Sequence, residues 1–271
     1  MKNNYKLGAL LSIVGILAGV LTLYFLADTY NTVIHTHFNA GQWEESNTVR
    51  IVYTVLGWLG TAAGALSAAV LWGFIKKQDW AWFWGSVAAT ILLLAGFFPM
   101  IPAADSGLPT PTLWVFLLAA VFWLGMLVIG GVDKKVIGLT FTAGLAYVLT
   151  FIDGVAPISR FQTTFQPAET FVQNSDSFWN GIYIISQQVN WWGAAAWAIF
   201  IFAAIKGKSW AIPVGIFAGV MSIIGGFPMG INHVIQAQRF SMFLPAPILS
   251  SILLLVLCMP GTQKLITGKE D

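Results

Sequence analysis

One cysteine, Cys258, is present in 271 residues, so no disulfide can close within the chain and no cysteine cluster can hold a metal. Charge is scarce as well. Asp, Glu, Lys and Arg together make 9% of the residues while hydrophobic types make 57%, far more apolar surface than one water-soluble core could enclose. A phosphate-cradling glycine loop, a nucleophile elbow, a serine–lysine pair and nucleic-acid-binding motifs are all missing. No cofactor and no nucleic-acid partner is therefore expected. None of the three histidines lies deep in an apolar run, which leaves no axial ligand for a haem within a bilayer.

What the chain does have is long apolar runs. A membrane-crossing helix needs about 20 mostly apolar residues. Eight such runs occur, over residues 7–27, 50–75, 80–98, 111–132, 136–152, 179–205, 209–227 and 243–259. Helices satisfy their own backbone groups in lipid and open strands cannot, so the sequence predicts an all-α integral membrane protein of eight spans. The first run follows Lys2 and Lys6 as a secretory signal would, yet it is long, and Phe25 stands where cleavage needs a small residue. It reads as a retained helix.

The few charges are sorted by sign and type. All ten lysines fall at the amino terminus, in alternate loops or at the carboxyl tail, whereas Arg50, Arg160, Arg239, every histidine and seven of the eleven acids fall in the other loops. Lysine-bearing loops face the cytoplasm, so both termini are expected inside a cell membrane. Trp43, Trp58, Trp114, Trp179, Trp191 and Trp192 then line the external interface, and Trp72, Trp80, Trp82 and Trp210 the internal one.

Two proline motifs occur twice in the same order: Phe98-Pro99-Met100 before Leu108-Pro-Thr-Pro-Thr-Leu113, and Phe227-Pro228-Met229 before Leu244-Pro-Ala-Pro-Ile-Leu249. Pro99 and Pro228 are 129 apart, Trp80 and Trp210 are 130, Trp58 and Trp191 are 133, and Pro109 and Pro245 are 136. This spacing predicts a tandem duplication of a four-helix unit, residues 1–132 and 133–271. Four spans is an even number, so both copies enter the membrane in the same direction and are related by an axis along its normal. Pro99 and Pro228 should end the helices before them, while Pro111, Pro245 and Pro247 suit the first turns of those that follow. Gly15 with Gly19, Gly60 with Gly64, and Gly215 with Gly219 have the spacing that lets membrane helices cross closely.

Candidate chemistry is confined to the external side. Asp28 and Asp153 stand at the ends of the first and fifth runs, where carboxylates could bind a cation or pass protons. Ser186-Gln187-Gln188-Val-Asn190 is the most polar stretch inside a predicted span. His35, His37 and His233, with Glu44 and Glu45, form a candidate zinc or copper set, on the assumption that His35 and His37 lie in an extended loop and point the same way. Residues 231–243 mix polar and apolar types at near-helical spacing, as a helix resting on the outer surface would.

These features lead to a small-solute permease or channel-like protein as the expected function. Its site would lie between the halves near the external face, with Asp28, Asp153, Gln187, Gln188, Asn190 and the Pro99 and Pro228 loops along the solute or ion pathway. A non-catalytic membrane subunit or receptor-like module, packed against a partner or a second copy, is the alternative. A membrane enzyme using the external His and Asp residues stands third.

Overall fold

The computed structural model describes residues 4–161, 177–238 and 240–267, and within them the chain is all helical. It divides into two compact units after Val132. The first holds α1 (Tyr5–Asn39), α2 (Trp43–Ile75), α3 (Ala81–Phe97), the short α4 (Met100–Asp105) and α5 (Leu113–Ile129). The second holds α6 (Lys134–Phe161), α7 (Ser177–Ile205), α8 (Ala211–Ala237), α9 (Pro245–Leu257) and α10 (Pro260–Thr267).

Six helices are long and apolar enough to cross a membrane, and α9 with α10, bent by 82° at their break, makes a seventh if the pair is one span. This is the make-up of a multi-pass membrane protein. Helices occupy all eight expected segments, but α5 has 17 residues, short of the usual length. Its start is held back by Pro109 and Pro111, which lie outside the helix, and Gly131 ends it in the left-handed conformation at φ 70°.

Each unit closes a ring of four helices. In the first, α1 packs on α2, α2 on α3, α3 on α5, and α5 back on α1; in the second, α6, α7, α8 and α9 follow the same cycle. A close backbone crossing in the first unit joins α1 to α2. A Cβ added at Gly19 would lie 2.5 Å from the Cα of Gly64, and one at Gly60 would strike the Thr22 side chain. Small residues thus let two backbones meet where lipid gives no hydrophobic drive for association.

Several connections differ from the expected ones. The segment after residue 27 was expected to be an external loop; instead α1 runs on to Asn39, and α2 begins at Trp43 after a three-residue turn. Both helices persist because the hairpin has its own packing: Val33, Ile34 and His37 are buried, and the Ser46 hydroxyl donates to the Ile34 carbonyl at 3.1 Å. At about 1.5 Å per residue α1 is about 52 Å long, well beyond a hydrocarbon core of about 30 Å. Pro228 does not end its helix. It sits inside α8, which continues to Ala237 and stops at Gln238, held at φ 51°. Residues 231–237 therefore belong to α8, and no separate surface helix forms there. The two Leu-Pro motifs also differ in place, since Pro109 and Pro111 precede α5 whereas Pro245 and Pro247 lie in the first turn of α9.

Candidate functional site

At the lysine-free end of the first unit, three side chains tie the hairpin to α4. His37 is 2% exposed; its Nδ1 lies 2.8 Å from Gln42 Oε1, and its Nε2 lies 2.9 Å from Ser106 Oγ and 3.3 Å from the Pro102 carbonyl. Both ring nitrogens are thus engaged by protein groups. His35, two residues back on the same helix, is about 200° away around the axis and exposed, so the extended-loop geometry assumed for a metal pair does not arise. His233 belongs to the other unit, and the side chains of Glu44 and Glu45 lie outside the described residues. Among the described residues no three His, Cys, Asp or Glu side chains gather as a metal site. Asp28 is exposed on α1.

Pro99 caps α4, and its carbonyl accepts from the buried Tyr53 hydroxyl at 2.9 Å. This bond links α2 to the α3–α4 corner. Tyr53→Phe is expected to lower stability by about 0.5–1.5 kcal/mol, read as a fall in unfolding temperature, with faster hydrogen exchange confined to α4 and its flanks. Unchanged exchange there would remove the pinning role.

The second unit carries its polar groups in the interior. Four helices meet at one level, where Thr150 Oγ1 (α6) lies 2.7 Å from Ser222 Oγ (α8) and Ser250 Oγ (α9) donates to Ser222 Oγ at 2.9 Å. All three hydroxyls are fully buried. On α7 the same level is filled by Gly193, whose missing Cβ would come within 3.2 Å of Thr150 and 3.3 Å of the Ser222 backbone. The glycine is what lets the threonine and serine approach.

Three residues towards the lysine-free end, about 4.5 Å on, comes a second polar level. The helices run antiparallel, so advancing three residues along α6 reaches Asp153 and retreating three along α7 reaches Asn190. The level is fixed by contacts: a Cβ at Gly154 would lie 3.4 Å from the Trp191 nitrogen, one at Gly225 would strike the Asn190 amide, and one at Gly226 would lie 2.7 Å from Pro247. Asp153 is 1% exposed and Asn190 is 0% exposed. Asp153 Oδ2 and both amide atoms of Asn190 have no hydrogen-bond partner. Buried polar groups in proteins are nearly always paired, so such a level is where an ion, a water or a solute group belongs.

Counted from Lys134, Asp153 stands about 28 Å along α6, a distance close to the thickness of a hydrocarbon core of about 30 Å. What differs from an end-of-span carboxylate is its enclosure, because α6 continues to Phe161 and α7, α8 and α9 surround it. Of the polar stretch on α7, Ser186 and Asn190 turn inwards, Gln187 is half-buried and Gln188 is exposed. Beyond this level His233 lies 2.9 Å from the Ser241 hydroxyl and edge-on to Phe243. Asp28 is not the counterpart of Asp153 in packing. In the first unit Thr22 faces Gly60 as Thr150 faces Gly193, which aligns Phe25, not Asp28, with Asp153.

The hydroxyl cluster of Thr150, Ser222 and Ser250 was not among the residues read as candidates. Isolated Ser and Thr are common in membrane helices, usually bonded to the preceding turn, as Thr22 is to the Ala18 carbonyl at 2.8 Å. With this geometry established, comparison with known proteins adds no family: no family model matches the chain, nor does any curated protein or solved structure.

Proposed function

We propose that the chain is a small-solute permease or channel-like protein of the cell membrane, and that its solute is a small cation received inside the second unit. The observation that carries this reading is the enclosed level of Asp153 and Asn190, with a carboxylate oxygen and a whole carboxamide unpartnered in an apolar bundle. An unpaired charge in such surroundings costs several kcal/mol, and charged groups within membrane bundles are therefore chiefly functional. A small cation would satisfy the Asp153 and Asn190 oxygens together, with the hydroxyls of Thr150, Ser222 and Ser250 offering further oxygen ligands three residues away along the helices.

The architecture we propose around it has eight spans in two tandem copies that enter the membrane in the same direction. The identical ring of helix pairings in the two units supports the duplication, as does the Thr–Gly contact repeated at Thr22 with Gly60 and Thr150 with Gly193. In this reading α5 crosses a locally thinned bilayer, which costs fractions of a kcal/mol per Å. The lysines at the ends of α1, α2, α6 and α7 support cytoplasmic termini. A membrane-impermeant amine reagent should therefore label lysines in everted membranes and leave intact cells unlabelled; strong labelling of intact cells would reverse the orientation.

The function is tested by flux of alkali cations and small amines into liposomes containing the purified protein. Uptake above that of empty liposomes, lost in Asp153→Asn, is the expected result. Wild-type uptake equal to background for every cation tried would end the proposal, and a stoichiometric protein that co-purifies would favour a subunit role instead.

A further inference from the structure

We infer that the first unit binds a single phospholipid, with one acyl chain laid in a groove between α1 and α2 and its phosphate against Arg50. The groove opens beside the Gly19–Gly64 crossing and encloses about 570 Å³, within the range of about 300–1,000 Å³ typical of small-molecule sites. Leu26 and Tyr53 are buried in its floor, Gly57 leaves the floor low, and Leu23, Tyr30 and Trp58 form its sides. Trp58 is 58% exposed, so the cleft opens outwards from the helix pair.

The shape selects a chain. Along α2 the lining runs from Tyr53 to Ala65, twelve residues, or about 18 Å at helical rise. That is close to half of a hydrocarbon core of about 30 Å, the depth one lipid leaflet provides. A compact solute would leave most of this length unfilled, whereas an extended acyl chain matches both its length and its apolar walls.

Charge selects the head. Arg50 lies one turn beyond Thr54, the last lining residue on that face of α2, within about 50° of the centre of the lining stripe. It is exposed and forms no ion pair among the described residues. Asp28, the nearest acid in sequence on the facing helix, is about 150° away from the lining face of α1 and does not compete for it. A basic side chain at the mouth of an apolar cleft, at the interfacial end of a span, is the arrangement that holds a lipid phosphate.

The inference does not depend on what the second unit transports. Native mass spectrometry of the detergent-purified protein, titrated with phosphatidylglycerol and separately with the diacylglycerol of the same chains, reads both halves of it. Wild type should bind one phosphatidylglycerol about fivefold more tightly than the diacylglycerol, as one basic residue near the surface provides. Arg50→Gln should remove that difference while leaving diacylglycerol binding unchanged. Gly57→Leu should abolish binding of both, and it is sterically mild, because a Cβ there meets only the Leu26 side chain at 3.8 Å. Equal affinity of wild type for the two lipids, or undiminished binding in Gly57→Leu with unchanged helix content, would overturn the inference. So would a dimer or partner helix that retains the groove with no lipid bound. The comparison of the two lipids on wild type stands whether or not either variant folds.

Discussion

Asp153→Asn is expected to lower the apparent affinity for the transported cation by about 150- to 5,000-fold and, in the same protein, to raise the unfolding temperature. The first effect follows from removing the charge that faces the cation. Separating buried charges that belong together costs about 3–5 kcal/mol, which is that span in affinity. The second follows from the empty state. The enclosed carboxyl group of Asp153 has an unpartnered oxygen at the level of an unpartnered carboxamide, and a buried polar group left unpaired costs about 1–3 kcal/mol. Asparagine keeps the shape and carries no ionisable group to be enclosed, so the folded protein no longer has to hold one away from water.

Opposite movement of function and stability separates a binding role from a structural one. If Asp153 merely held α6 to its neighbours, Asp153→Asn would lower both. Cation titration of the unfolding temperature supplies a further reading: a cation that binds only the folded protein raises it with concentration in wild type, and the variant should lose that dependence. Flux and cation response both unchanged in the variant would remove Asp153 from the pathway.

Asp153 also shows where sequence reading reached and where it stopped. Its distance of about 28 Å from Lys134 is available by counting, and α6 is continuous over that stretch. Enclosure is a different quantity, set by how far α6 continues and by which faces of α7, α8 and α9 surround it. The apolar run fades after Ile152, yet the helix goes on to Phe161, because a helix end is decided by packing and capping as much as by hydropathy. The first unit teaches the same lesson at His35 and His37. Polar residues there suggested a loop, but Val33, Ile34 and His37 keep the three- and four-residue spacing of a buried helical face.

Pro228 failed as a stop signal for a related reason. A proline inside a helix removes one hydrogen bond and clashes with the turn before it, but in a membrane bundle neighbouring groups can compensate, and α8 runs nine residues past it to Ala237. Spans bounded by lysine turns were the legible part, since Lys76-Lys77 and Lys206 mark the ends of α2 and α7 closely. The hydroxyl cluster was illegible. Thr150, Ser222 and Ser250 are separated by 72 and 28 residues, and only the antiparallel register of α6, α8 and α9 brings them together.

Glycine spacing was legible too, and it supports the prediction with the largest effect on stability. Gly19→Ala should destabilise the first unit by about 1–3 kcal/mol, the usual cost of overpacking, because the new methyl would stand 2.5 Å from the Gly64 Cα and 3.0 Å from its nitrogen. Backbone atoms cannot rotate aside as the Thr22 side chain can at Gly60, so α1 and α2 must separate. Gly64→Ala meets the Gly19 Cα at 2.9 Å and should cost a similar amount. Once the helices have parted for one methyl the second finds its space partly made, so the double variant should fall short of the sum of the singles. Gly138→Ala is the control: nothing lies within 4 Å of a Cβ there, and the helical gain of alanine over glycine should raise stability by about 0.5–1 kcal/mol. Unfolding temperatures of the four proteins decide the matter. If the two single variants match Gly138→Ala, the close crossing of α1 and α2 is not what holds the first unit; if their costs add in full, the two glycines do not share one contact.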